Sequence, residues 1–294
     1  MSDIIQVGAH PIRPVRSKAA IERAEAMRRA AIRRQAWQRL LPWIVIMGAF
    51  MLWEIVVRVF DIEQFVLPSP SATFASMWQW RGPLFENAMQ TLMTSIIGFL
   101  LAVVGGLVLG CAIGGSTLVY AALYPMLIGF NAIPKVAVVP ILVIWFGIGT
   151  VPVVITAFLL SFFPIVVNVA TGIATVEPEL RDVMRALGAG SLDIIVKIGL
   201  PRAMPYFFAS LKIAVSVAFV GSILAETIAA NSGIGHLMVV ASSRFDVPLV
   251  FAALLVTSGL GVAMYLVAAL IEKRMTGWTV RTEPGTAAVT ASPG

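Results

Sequence analysis

Apolar residues fill this chain in six long blocks, at 40–60, 89–112, 120–146, 151–172, 204–228 and 249–271, with polar stretches between them. Each block has roughly the 20 residues that a helix needs to cross about 30 Å of hydrocarbon. The pattern predicts an all-α polytopic membrane protein of about six transmembrane helices. The third block is irregular, because Pro125, Pro134 and Pro140 interrupt it. A broken helix survives at membrane depth where protein or a water-filled path satisfies the freed carbonyls. In the second block Gly98, Gly105, Gly106 and Gly110 offer close helix approach, as small residues do between transmembrane backbones. Glu54 and Arg58, four residues apart in the first block, are placed to pair on one helix face.

Among the polar stretches, 176–201 has its own pattern: VEPELRDVMRALGAGSLDIIVKIGLP. Pro178 suits a first helical position. Leu180, Val183, Met184 and Leu187 recur at i, i+3, i+4 and i+7, while Arg181, Asp182 and Arg185 fall off that stripe. Gly188 is a helix stop. The spacing predicts a helix of about 15 Å from Pro178 to Leu187, too short to span a bilayer. Ser191 is expected to cap a second short helix over 192–199, and Pro201 to end the segment.

The remaining stretches are simpler. Residues 1–40 form a basic arm with a thin helical pattern from about Ser17, compatible with an amphipathic helix on anionic lipid or with a loosely ordered arm. Residues 41–271 form the membrane domain with the 176–201 loop inside it, and 272–294 form a polar tail. After the first block, Pro68, Ser69 and Pro70 precede a short helix whose Trp78 and Trp80 suit a membrane interface. A second short segment with His236 lies between the last two blocks.

Composition agrees with this reading. Hydrophobic residues make up 59% and charged residues 12% of the chain, against about 25% charge in soluble domains. The net charge of +6 follows membrane topology rather than nucleic acid. With the amino terminus inside, inner segments hold sixteen lysines and arginines, and outer ones hold Arg81, Arg244 and Arg58. That bias places both termini and the 176–201 loop in the cytoplasm.

The chemistry that is missing narrows the function. No lysine follows a glycine, so the chain has no phosphate-cradling Gly-Lys-Ser/Thr loop. There is no His-Glu-x-x-His and no Gly-x-Ser-x-Gly elbow; His10 and His236 lie far apart, and Cys111 is alone. An enzyme is a poor reading. The polar groups inside the blocks, Asn131, Lys135, Asn168 and Glu226, are the candidates for a translocation path. For Lys135 a cavity-facing role and a snorkelling or paired role stay open.

The order Asp182-Val183-Met184, three residues, Gly188, nine residues, then Ile198-x-Leu200-Pro201 resembles the permease subunits of bacterial ATP-binding-cassette importers. Asp stands here for the usual Glu, and Val-Met for the usual Ala-Ala. Three further strings, LPSPS at 67–71, PILVIWFGIG at 140–149 and AETIAANSGIG at 225–235, resemble the sulfonate, taurine and nitrate branch. The resemblance implies a type I importer architecture. It makes the 176–201 segment a coupling helix for a separate ATPase, with contacts at Leu180, Asp182, Val183, Met184, Arg185, Ala186, Gly188 and Pro201. Its implied partners are a second permease copy, two ATPase subunits that bind ATP and magnesium, and a periplasmic or lipid-anchored solute-binding protein. Surrounding lipid completes the set, with no nucleic acid. The substrate it implies is a small organic or inorganic anion; relatives of that branch handle vitamin precursors or aromatic carboxylates. An ion-coupled carrier using Lys135 and Glu226 is the competing class. Such folds show related halves, and no repeat is evident between 40–146 and 151–271.

Overall fold

A computed structural model describes the backbone of residues 18–275, and side chains at Trp37, Gln38 and from Leu40 onward. The expectations for residues 1–17 and 276–294, including Arg13, Arg16 and Arg281, lie outside the described residues. The described chain falls into two compact units, Met1–Asp61 and Ile62–Gly294.

The first unit holds α1 (Lys18–Val59), a single 42-residue helix running through the boundary expected at residue 40. Its membrane-length part is Leu40–Val59. Arg58 bonds Glu54 at 2.6 Å, as their spacing predicted.

The second unit is built around three long helices: α3 (Arg81–Gly114), α6 (Thr150–Ala174) and α9 (Leu200–Ala229). Gly98, Ala102, Gly106, Gly110 and Gly114 recur every four residues along α3, and all are buried. On α6, Ala157, Ser161, Ile165, Val169 and Ile173 do the same. The two rows interlock. A methyl group at Gly106 would lie 2.7 Å from the Ile165 side chain, and one at Gly110 would lie 2.7 Å from Val169. In lipid no hydrophobic effect drives helices together, so this close backbone approach and its dispersion contacts hold the pair.

Pairing also sets direction. Gly98 meets Ala157 and Gly114 meets Ile173, so α3 and α6 run parallel. Gly172 packs on Ala203 and Gly221 on Ala157, so α9 runs against α6. The last helix, α11 (Val247–Met275), is antiparallel to α9, with Gly261 on Phe219 and Glu272 bonded to Lys212 at 2.7 Å.

Parallel α3 and α6 demand a return crossing between them. It is made by α4 (Thr117–Ala132), a 3₁₀ turn (Lys135–Val138) and α5 (Val139–Phe146), with a 74° bend between the two parts. The third block, expected to be irregular, is thus a bent pair of helices. Pro134 supplies the cause: it has no N–H to give the α4 ladder, and it forces Ile133 into the extended conformation found there, φ −65°, ψ 129°. Gly114 and the segment 175–199 end up at one end of the bundle with Glu272. The turn at Gly147–Gly149 and the start of α11 lie at the other.

Short helices finish the second unit. α2 (Pro70–Gln79) begins at Ser69, whose hydroxyl accepts the Ala72 N–H at 3.2 Å. α7 is Pro178–Ala186, α8 is Ser191–Ile194 and α10 is Ile234–Ser243. One expectation fails here. Pro201 does not end the segment, because a π-helical turn over Ile195–Gly199 carries α8 straight into α9. The wider turn changes the hydrogen-bond register just ahead of Pro201, so its missing donor falls at the start of α9, where it costs least. Nor is Ser191 the cap: the Gly190 N–H is held instead by the Asp193 carboxylate at 3.3 Å.

Candidate coupling island and translocation path

The island 176–201 begins as its sequence predicts. Pro178 opens α7, and Glu179 lies in the first turn and Arg185 in the last, each matching the helix dipole. Gly188 takes φ +83°. Its N–H bonds the Arg185 carbonyl at 2.9 Å, and the Ala189 N–H bonds that of Met184 at 3.0 Å. These are the two bonds of a Schellman stop, which needs a left-handed residue and hence glycine. Gly188 is open on all sides, so its backbone conformation and not crowding selects it.

The apolar stripe divides. Leu180 and Met184 are half-buried, whereas Val183 is 56% and Leu187 78% exposed. Leu192 and Val196 are 77% and 59% exposed beside them. Asp182 and Arg185 pair at 3.3 Å on the same open surface. Ala186 and Pro201 are also exposed. The open face of α7 therefore mixes bare apolar groups, Val183 and Leu187, with the charges of Asp182 and Arg185. Beneath it, Val176 is buried, the Arg181 guanidinium donates to the Ile173 carbonyl at 2.6 Å, and Arg202 pairs with Glu177 at 3.2 Å.

The four path candidates do not come together. Lys135 donates to both the Asn131 carbonyl (2.8 Å) and its side-chain oxygen (3.1 Å), and its amine sits 4.9 Å above the Phe163 ring. That pair lies at the bend, with Asn131 exposed and Lys135 half-buried. A cation over an aromatic face is attracted by the ring quadrupole. Asn168, half-buried on α6, spends its amide N–H on the Pro164 carbonyl at 2.8 Å.

Glu226 is different: it is 1% exposed. Its carboxylate accepts from Thr91 at 2.8 Å, Thr94 at 3.5 Å and the Gly235 N–H at 3.0 Å. Thr91 in turn accepts the Ile234 N–H at 2.8 Å, and Asn87 accepts that of Gly233 at 2.7 Å. Three successive N–H groups at the start of α10 are thus capped by side chains of α3 and α9. Unpaired first-turn donors are costly in a buried setting, and a carboxylate there suits the helix dipole. A side chain at Gly235 would collide with the Ile223 carbonyl and lie 2.8 Å from the Glu226 Cβ. The Gly-Ile-Gly of 225–235 is the geometry that admits this cap. Glu226 is closed off in this conformation and lines no open path.

With this geometry, residues 102–277 match the family described as binding-protein-dependent transport system inner membrane component. The chain belongs to that family. A probable ABC transporter permease of Haemophilus influenzae is 31% identical over 77% of this chain and 93% of its own length. A riboflavin transport system permease of Chloroflexus aurantiacus is 30% identical over 84% of this chain and 93% of its own. A putative aliphatic sulfonates permease of Bacillus subtilis is 28% identical over 87% and 93%. Among solved structures, the inward-facing MetNI methionine ABC transporter matches with a TM-score of 0.52 at 20% identity, over 68% of this chain and 97% of that one. It shares the fold. The protein is therefore a permease subunit of an ABC importer, a multi-pass inner-membrane protein whose ATPase is a separate subunit.

Three polar groups of this permease escaped the sequence reading. Asn87 and Thr91 were legible in part, because Thr91, Thr94 and Ser95 form a polar stripe at i, i+3 and i+4 on an apolar helix. Lys212, inside the fifth block, signalled the need for a partner, and Glu272 supplies it.

Proposed function

We propose that this permease moves a small anion of the sulfonate, taurine or nitrate type into the cytoplasm by alternating access, as a homodimer powered by two ATPase subunits that dock on α7. One observation carries the docking part. α7 is a short, sharply stopped helix whose Val183 and Leu187 stay exposed at a membrane protein's polar end. In this reading Leu180, Asp182, Val183, Met184, Arg185, Ala186 and Gly188 meet the ATPase, with Pro201 at the root of the island. That end carries Arg181, Arg185, Lys197, Arg202, Lys273 and Arg274, against Arg81 and Arg244 at the other. The bias supports a cytoplasmic island and cytoplasmic termini. ATP acts by binding one arrangement of the ATPase pair more tightly, which biases the permease between its two states.

The anion rests on Lys135, the cation held at the bend by Asn131 and backed by Phe163. A buried or half-buried lysine in a span is expensive and marks a functional surface. Asn168 and Glu226 are the further candidates along the path, Glu226 only in a conformation that opens its cap. A second reading, a vitamin precursor or aromatic carboxylate, is favoured by the riboflavin-transport name of one relative. Growth of a deletion strain with taurine, an alkanesulfonate or nitrate as sole sulfur or nitrogen source separates the two. Loss of growth restored by the wild-type gene but not by Lys135→Gln supports the anion. Growth unaffected on all three contradicts it.

A further inference from the structure

The island does not merely sit beneath the membrane helices; one side chain ties it to them. Arg181 lies on the inner side of α7, away from the exposed Val183 and Leu187. Its guanidinium donates to the carbonyl of Ile173 at 2.6 Å, within the last turn of α6. That carbonyl is one of the end groups a helix leaves without an intrahelical partner, and a cation there also meets the negative end of the helix dipole. Val176 N–H reaches the same oxygen at 3.3 Å.

Ile173 is itself a junction. It is 2% exposed, and it abuts Gly114 at the end of α3 and Gly199 at the end of the π-helical turn. Gly115, Val176, Ile194 and Ile195 line a small cleft of about 10 Å³ together with Arg181, which is half-buried. The Glu177–Arg202 pair bridges the same island to the start of α9, but both partners are exposed, and such pairs contribute little.

We infer that Arg181 is a positioning residue that makes α7 a rigid extension of α6, so that a push on the island is delivered to that helix rather than absorbed at the 175–177 junction. This rests on the reading of α7 as the ATPase-docking helix. Arg181 touches neither ATP nor solute in this account; it acts through α6.

The test uses the permease assembled with its ATPase, with Cys111→Ser and spin labels at Glu179→Cys on α7 and Val151→Cys at the far end of α6, both exposed. The island-to-α6 distance is measured by pulsed electron paramagnetic resonance with and without ATP and vanadate. The wild-type distance stays narrow and unchanged on nucleotide trapping. In Arg181→Ala it broadens or shifts, while the ATPase still co-purifies and still traps nucleotide, and Arg181→Lys restores most of the narrow distribution. A wild-type distance that moves on trapping overturns the inference even if no variant folds. So does an Arg181→Ala distance identical to wild type in both states, or loss of the ATPase from that variant. If the wild type binds no ATPase, the docking reading has failed instead. The strap is then read in the permease alone, from the width of the distribution with and without Arg181.

Discussion

The two ends of the helical bundle hold their polar groups in opposite ways. Where α10 meets α3 and α9, Thr91 and Glu226 are buried and Asn87 half-buried, and together they cap three successive N–H groups. At the island end most polar groups face outward: Asp182 with Arg185, Asp193 with Lys197 and Glu177 with Arg202 are surface pairs. The Arg181 bond and the Lys212–Glu272 pair are the more sheltered ones among the described residues. A satisfied buried network fixes one arrangement, since each broken bond leaves an unpaired group away from water. Surface pairs cost little to exchange for others. In the proposed reading, the island end is the one that exchanges partners most readily.

The sharpest way to break that contrast is in the packing both ends share. Gly110→Leu places a side chain where even a methyl meets Val169. Overpacking typically costs about 1–3 kcal/mol and more when backbone must move. The expected outcome is little or no folded protein by size-exclusion in detergent. Glu226→Ala comes next. It strips the Gly235 N–H of its acceptor, at about 1–3 kcal/mol for a group left unsatisfied, while the Thr91 hydroxyl can fall back on the Asn87 carbonyl at 3.1 Å. Thermal unfolding in detergent should show a clear loss, with Glu226→Gln falling between it and wild type.

At the other end the effects should be functional before they are structural. Gly188→Val must hold a β-branched residue at φ +83°, which costs about 1–3 kcal/mol locally or undoes the helix stop. The expected result is normal membrane insertion with transport and stimulated ATP turnover strongly reduced. Normal transport would remove α7 from the mechanism. At the α4–α5 bend, Lys135→Gln should lower transport of the proposed anion without changing the unfolding temperature, because its bonds are to an exposed neighbour.

Much of this was readable in the chain. The five or six candidate crossings, the stop at Gly188 and the opening at Pro178 follow from hydropathy and backbone chemistry that act within a few residues. The glycines of α3 were visible as close-approach points, but their exact four-residue register against Ala157, Ile165 and Val169 was not, since it depends on which helix lies opposite. The same limit applies to Glu226. Two of its three partners, Thr94 and Thr91, are 132 and 135 residues away in sequence, so the sequence marks it as polar without saying what encloses it. Pro201 was misread for a related reason. Proline breaks an α-helical ladder, but a π-helical turn just before it moves the break to where a helix begins.

Everything proposed for the island requires that it face the cytoplasm. Cysteine in place of Arg185, in a Cys111→Ser background, tests this with a membrane-impermeant thiol reagent. The account predicts labelling in inside-out vesicles and none in intact cells, with added ATPase subunit shielding the site. Labelling from outside intact cells would contradict it.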